Sequence, residues 1–350
     1  MRGVHKVPGG KLVSIEFQLD QTNCLVEPRL AGDFFAEPPD AITRLEQALD
    51  GVSADLTADQ LTARLVGSLL PSDQLIGFDA AAVALTVRRA LGKATTWEDH
   101  SFELIEDGPQ SPAMQMALDE VYARALGAGQ RGPTLRIWQW ASSAVVIGSF
   151  QSLRNEVDLE AAARHGVTVV RRISGGGAMF IEPGNTITYS LVVPGSLVDG
   201  LSFVESYAFL DNWVLRALGE LGIQATYQPI NDIASPSGKI AGAAQRRLAD
   251  GTVLHHVTMA YDIDAAKMTE VLRIGRAKLS DKGTVSAAKR VDPLRSQTGL
   301  PREQIVTAFV DSFARQHRLV RSSPTAAELA EAQHLADTKF SSNEWTARVP

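Results

Sequence analysis

The residues with the most chemical promise stand in one run, Arg171-Arg172-Ile173-Ser174-Gly175-Gly176-Gly177-Ala178. Three consecutive glycines after a strand are unfavourable in backbone entropy, so the run points to a ligand approaching bare backbone, with amide groups facing an anion. A flexible turn between two strands is the plainer alternative. Side chains alternate along a strand, so Arg171 and Arg172 face opposite ways and only one of them can readily face the glycines. The run is not a P-loop, because no Gly-Lys-Ser/Thr follows, and it is not a G-x-G-x-x-G dinucleotide fingerprint.

A second passage is Asn231-Asp232-Ile233, followed by Gly238-Lys239-Ile240-Ala241-Gly242-Ala243-Ala244. Lys239 begins a strand of very small residues, which leaves room for something bulky beside it. A lysine there could neutralise phosphate or hold a carboxylate, and Asp232 could bind a magnesium ion. A surface lysine beside a hairpin, with an aspartate in a turn, is the competing reading. His255 and His256 are adjacent in a strand and face opposite ways, so they cannot readily share a metal ion, and at most one faces the site. With one cysteine and no H-E-x-x-H, zinc is not expected. Arg273, Arg276, Lys278, Lys282, Lys289, Arg290 and Arg295 stand against only Asp281 and Asp292, a local basic excess suited either to phosphates or an acidic partner, or to a solvated loop.

The elements that must carry these residues are readable in outline. Residues 12–20 alternate as a half-buried strand, and Pro38-Pro39 precedes a helix bearing Ile42, Leu45 and Leu49. Two more helices end near Leu91-Gly92. The polar stretch 93–101 reads as a linker, which makes 1–92 a small α+β domain. Ser111-Pro112 starts a helix in which Met114, Ala117, Leu118, Val121, Tyr122 and Ala125 recur at helical spacing. Strands are expected near 135–140, 144–149, 167–173 and 185–193, and a capping box of Ser202 with Glu205 opens a helix ending at Gly222. Asp250-Gly251 marks a hairpin between 239–248 and 252–263. Helices near 265–274, 302–317 and 325–338 complete 102–350. Adjacent strands with interspersed helices imply an α+β fold rather than a regular parallel α/β sheet.

The chain has 350 residues, is 45% hydrophobic and carries a net charge of -6, ordinary for a globular protein and contrary to general nucleic-acid binding. One cysteine, Cys24, excludes an internal disulfide and suits a reducing compartment. Residues 1–13 hold Lys6, Pro8, Gly9, Gly10 and Lys11 without a signal-like apolar stretch, and the apolar run Leu75 to Val87 is too short to span a bilayer. The expectation is a cytoplasmic protein with no membrane partner.

Taken in order, these passages resemble the lipoate–protein ligase family. The resemblance runs through MQMALDE at 114–120, RRISGGGA, Asn185 in PGNTITYS, NDI with GKIAGAA, and LHHVT at 254–258. It continues through KLSDKGTVSAAKRVDPL at 278–294 and FSSNEW at 340–345, covering nearly all of 100–350. HKVPGGKLVSIEF and GDFFAEPP are similar to the family's small accessory domain, which commonly follows the catalytic domain and here precedes it. The family often has histidine where this chain has Ile181, and glycine where it has Val257.

The resemblance implies a mixed-sheet catalytic fold shared with biotin ligases. It further implies that ATP and lipoate bind with magnesium, that the lipoate carboxylate attacks the α-phosphorus, and that an acceptor lysine then attacks the lipoyl-adenylate. Lys239 is then the catalytic residue, contacting the carboxylate and α-phosphate. Arg172, Ser174 and the loop Gly175, Gly176, Gly177 and Ala178 hold the adenylate, and Asp232 supports Mg2+. The implied partners are lipoyl acceptor domains, those of 2-oxoacid dehydrogenase E2 subunits and of the glycine cleavage H protein. The rivals are an octanoyl or lipoyl transferase of the same fold, which would work through a cysteine thioester, a biotin ligase, and a non-catalytic protein that binds carrier domains.

Overall fold

The computed structural model describes residues 1–7, 9–273 and 291–350. They form two compact units, Met1–Asp99 with Gly195–Ser202, and His100–Pro194 with Phe203–Pro350. Arg276, Lys278, Lys282, Lys289 and Arg290 of the basic run lie outside the described residues.

In the first unit the strand Leu12–Leu19 turns Val13, Ile15 and Phe17 inward, as its alternation requires. It is the middle of an antiparallel sheet, between Arg2–Lys6 and Leu25–Gly32. The helices Asp40–Leu49, Ala58–Ser68 and Ala80–Ala90 supply Leu45, Leu49, Leu61, Leu65, Val83 and Val87 to the same core. Thr57 and Gln60 make a reciprocal capping box at the second helix, and Asp79 caps the third. The segment Gly195–Ser202 is tied to this unit by Arg88, whose Nε donates to Asp199 at 2.7 Å, and by Thr95, whose amide donates to Ser196 at 2.8 Å.

The second unit is built on an eight-stranded mixed sheet, ordered Thr226–Gln228, Asp232–Ser235, Gly238–Arg247, Thr252–Ala260, Thr186–Pro194, Thr134–Trp138, Ser101–Glu106, Arg318–Ser322. Its last two pairings are parallel and the rest antiparallel. The Asp250-Gly251 hairpin and the expected strands therefore form, and the class is α+β. Gly251 has a φ of +89°, which the tight turn needs.

Alternation along Thr186–Pro194 decides what covers each face. Ser190 points to the helix Pro112–Gly127, where its Oγ donates to Asp119 at 2.8 Å. Tyr189 points the other way, donating to Asp211 of the helix Phe203–Glu220 at 2.7 Å and packing edge-on to Trp213. Trp213 in turn meets Phe313 of the helix Arg302–Gln316, and Phe313 meets Phe102. A smaller three-stranded sheet, Met179–Ile181, Ala144–Ile147, Thr168–Arg171, carries the double arginine at its end.

His317 ends the helix Arg302–Gln316 against Phe102 and Phe313. Burial, aided by the charge of Arg216, lowers its pKa from 6.5 to about 4, so the folded chain keeps it neutral. Between those values the unfolded chain binds more protons, so stability is full above pH 6.5 and falls as pH drops toward 4. Urea unfolding should therefore show a smaller loss between pH 7 and pH 5 for His317→Phe than for the wild type; equal losses would rule out this source of acid sensitivity.

Candidate active site

Arg171 and Arg172 face opposite ways, and each guanidinium is committed to backbone carbonyls. Arg171 donates to Gly148 at 2.9 Å, Gln151 at 2.7 Å, Thr346 at 2.7 Å and Val349 at 3.2 Å, which pins the C-terminal segment to the loop after Ile147. Trp345 returns a bond from its indole N–H to the Arg171 carbonyl at 2.8 Å. Arg172 turns to the glycine loop and donates to Gly177 at 2.8 Å, to Gly175 at 3.0 Å through Nε, and to Val146 at 3.2 Å. Its burial draws its pKa down to about 10, which leaves it charged at neutral pH.

This geometry settles the direction of the loop's polar groups. The carbonyls of Gly175 and Gly177 are drawn onto Arg172. Among the described residues, the amides of Gly175, Gly176 and Gly177 donate to no protein acceptor. Free amides in a row beside a buried cation make an anion cradle. Gly176 has a φ of +87°, and a Cβ there would come within 2.9 Å of Arg172 Nη2. Ser174 points away from solvent, its Oγ 2.7 Å from His256 Nε2.

Gly176, Gly177 and Ala178 line a cleft of about 320 Å³ together with Asp232 and Lys239. Lys239 Nζ lies 2.7 Å from Asp232 Oδ1. The pairing register between their strands slips at Ile233 and Ala234, a bulge of the kind that re-aims a side chain. Gly242 leaves space beside them, since a Cβ there would sit 3.1 Å from Lys239 Nζ. One flank is apolar, formed by Met179, Phe180, Ile240, Ile263, Met268 and Leu272, while Glu156, Asn231, Thr258 and Arg273 add polar groups to the lining. The cleft thus has a charged pole beside the amide cradle and a greasy flank, which suits a ligand with an anionic head and an apolar tail.

Of the residues singled out in the sequence for ligand or metal contact, Gly176, Gly177, Ala178, Asp232 and Lys239 line this cleft, and Arg172, Ser174 and Gly175 do not. Arg172, with Lys239, Gly177, Ala178 and His256, lines a smaller cavity of about 50 Å³. His255 faces the opposite side of the sheet, bonded to Asp211 at 2.6 Å, so the two histidines separate as strand alternation requires. Ile181 and Val257 are buried and neither lines the cleft. Of the basic run, Arg273 lines the cleft and Arg295 pairs with Asp262. The apolar wall was not identified from sequence, because its residues come from separate elements and each looks like ordinary core. Among the described residues no three His, Cys, Asp or Glu side chains group as a metal site, and no helix is long and apolar enough to cross a membrane.

The family model described as the lipoyl protein ligase A/B catalytic domain matches residues 111–314. The chain belongs to this family. It is similar to the octanoyltransferase LipM of Symbiobacterium thermophilum, 30% identical over 71% of this chain and 98% of the relative. It is also similar to the bi-partite lipoate protein ligase of Thermoplasma acidophilum, with a TM-score of 0.61 and 27% identity over 72% of this chain and 97% of that one. A further structure from that organism, with bound lipoic acid, superposes with a TM-score of 0.59 and 25% identity over 71% of this chain and 99% of its own. This lipoyl protein ligase family member is thus an enzyme of the lipoate and octanoyl transfer group, with the mixed α+β fold of the biotin/lipoate ligase superfamily.

The tight contact behind the loop gives a direct check. A Cβ at Gly148 would lie 2.2 Å from the carbonyl oxygen of Gly176, whereas one at Gly175 would meet open space. Gly148→Ala should lower unfolding stability by about 1–3 kcal/mol and Gly175→Ala by much less. Equal effects in urea titration would show that the loop does not rest against Gly148.

Proposed function

We propose that this protein is an ATP-dependent lipoate–protein ligase, forming lipoyl-AMP from lipoate and ATP and passing the lipoyl group to a lysine of an acceptor domain. The observation that carries this reading is the union, in one cleft, of Lys239, the free loop amides and an apolar wall. The apolar flank takes the acyl chain and leaves its carboxylate at the charged pole. There the Lys239 ammonium neutralises the carboxylate and the α-phosphate as negative charge gathers on them. The amides of Gly175, Gly176 and Gly177, with Ala178 beside them, hold phosphate oxygens in fixed orientation, so little reorganisation is needed as the charge develops. Arg172, which shares a small cavity with Lys239, Gly177 and Ala178, and Ser174 complete the adenylate site from beneath the loop they shape.

Asp232 would hold a magnesium ion. One carboxylate, with substrate phosphate oxygens and water completing the shell, matches that ion's habit, and the ion would screen phosphate charge. No enzyme nucleophile is needed. The acceptor lysine displaces AMP from the mixed anhydride, and the chemistry is one of positioning and charge. The acceptors are the lipoyl domains of 2-oxoacid dehydrogenase E2 subunits and the glycine cleavage H protein. Residues 1–92 serve as the accessory domain, 93–101 as linker and 102–350 as the catalytic domain, working in the cytoplasm.

The relatives named octanoyltransferase favour a second reading, transfer from an acyl carrier through a thioester. That route needs a thiol at the reacting carbonyl. The sole cysteine, Cys24, belongs to the first unit, and no cysteine lines the cleft.

Pyrophosphate exchange into ATP, assayed with and without lipoate or octanoate, separates the two. Exchange should depend on the acid, persist in Cys24→Ala, and fall by about 10²–10³ in Lys239→Met, the usual cost of losing one preorganised charge contact. Acid-independent or absent exchange, with an acyl group found on Cys24, would establish the transferase reading instead.

A further inference from the structure

Beneath the glycine loop lies a buried chain of hydrogen bonds that the chemistry above does not use. Asp119, in the helix Pro112–Gly127, places Oδ2 at 2.9 Å from His256 Nδ1. His256 Nε2 is 2.7 Å from Ser174 Oγ, and Arg172 Nε donates to that same oxygen at 3.1 Å. The other oxygen of Asp119 accepts from Ser190 Oγ at 2.8 Å and lies 3.6 Å from Arg136 Nη1. Trp138 donates to Ser190 Oγ at 3.0 Å and presents its ring edge-on to His256. Asp119, Arg172, Ser174 and His256 are all buried, so none can draw on bulk water for a missing partner.

Donor and acceptor counting allows one order for this chain. A carboxylate beside Nδ1 requires a proton there, because a bare ring nitrogen facing Asp119 would be repelled. Nε2 is then an acceptor, so the Ser174 hydroxyl must donate to it. That turns the remaining lone pairs of Ser174 Oγ toward Arg172 Nε. The order reads Asp119 carboxylate, Nδ1–H of His256, its Nε2, the Ser174 hydroxyl, and Arg172. The same three residue types in this order activate serine nucleophiles elsewhere. Here the serine is 1% exposed and accepts from a cationic guanidinium, both of which suppress nucleophilicity.

We infer that Asp119 and His256 are positioning residues, which hold Ser174 as an acceptor for Arg172 and thereby fix the glycine loop with its amides free. Arg172 shares its Nε–H between Ser174 Oγ at 3.1 Å and the Gly175 carbonyl at 3.0 Å, so the serine is the side-chain contact that helps orient the guanidinium toward the loop carbonyls. The inference rests on the proposed ligase reading only for its consequence in catalysis; the arrangement of the loop stands apart from it.

Charge at His256 would undo the chain. Burial lowers its pKa, Arg172 and His255 push the same way, and the bond and charge of Asp119 oppose them. The other charged groups facing this site are Arg136, behind Asp119, and Lys239, across the small cavity. A protonated Nε2 would aim a second donor at Ser174 Oγ and leave the serine hydroxyl without its acceptor. The neutral, Nδ1-protonated ring is therefore the state in which the loop is held.

Nitrogen NMR of the full-length, histidine-labelled protein at pH 7 tests this on the wild type. His256 should be the neutral Nδ1–H tautomer; an Nε2–H tautomer or an imidazolium would overturn the inference. Asp119→Asn, which keeps the shape but can donate to Nδ1, should reverse the ring's hydrogen bonds. The amide of Arg172, bonded to the Ile147 carbonyl at 3.0 Å, should then exchange roughly tenfold faster, the scale of one net hydrogen bond, while the strand Thr186–Pro194 stays protected. His256→Gln, which returns an acceptor near the Nε2 position, should recover part of the protection lost in His256→Leu. Unchanged exchange of the Arg172 amide in folded Asp119→Asn, or no recovery by glutamine, would also overturn it. In lipoate-dependent exchange, Asp119→Asn should raise KM for ATP more than it lowers kcat. A wild type with no such exchange removes the ligase reading, while the tautomer and exchange results still decide the role of His256.

Discussion

Two arginines placed side by side at the end of a strand cannot face the same way, and the second unit is organised around that constraint. Arg171 gathers carbonyls from the loop after Ile147 and from the C-terminal segment, while Arg172 gathers those of the glycine loop. Neither guanidinium has an aspartate or glutamate partner in these contacts. Buried charge is tolerated because each cation is surrounded by carbonyl dipoles, which supply the stabilisation that water would give at the surface. Once the carbonyls of Gly175 and Gly177 point at Arg172, the amides sharing those peptide planes, of Gly176 and Ala178, face away from it, and both residues line the cleft.

The charged pole and the apolar wall meet for a related reason. The bulge between Ile233 and Ala234 brings Lys239 onto Asp232, and the small residues of the strand Gly238–Arg247 keep that region open. An ammonium held beside one carboxylate and facing free amides is poised for an added anion rather than for a neutral group. On the proposed reading, that anion is a carboxylate becoming a phosphoric anhydride, and Met179, Ile240, Ile263 and Met268 receive its chain.

Much of this was legible in the sequence where local rules dominate. Ser111-Pro112 starts the helix Pro112–Gly127, Asp250-Gly251 turns the hairpin, and alternation separates His255 from His256. What stayed hidden depends on long-range closure. The helix Pro112–Gly127 is buried on nearly all sides, so helical spacing gave no reason to expect Asp119 at the site. The commitment of Arg172 to loop carbonyls likewise leaves no trace in spacing. Arg318–Ser322 is an edge strand with largely exposed, non-alternating residues, and its parallel partner Ser101–Glu106 lies more than two hundred positions earlier. The segment Gly195–Ser202, which packs with the first unit, likewise carries no local mark of its destination.

The central claim is that this cleft makes and holds an acyl-adenylate without a covalent enzyme intermediate. The most direct measurement is to incubate the full-length protein with lipoate and ATP labelled at the α-phosphate, then separate protein from free nucleotide by gel filtration. The account predicts about one labelled nucleotide retained per chain, only when lipoate is present, released as AMP when an acceptor domain is added. Retention without lipoate, or no retained nucleotide alongside an acyl thioester on Cys24, would contradict it.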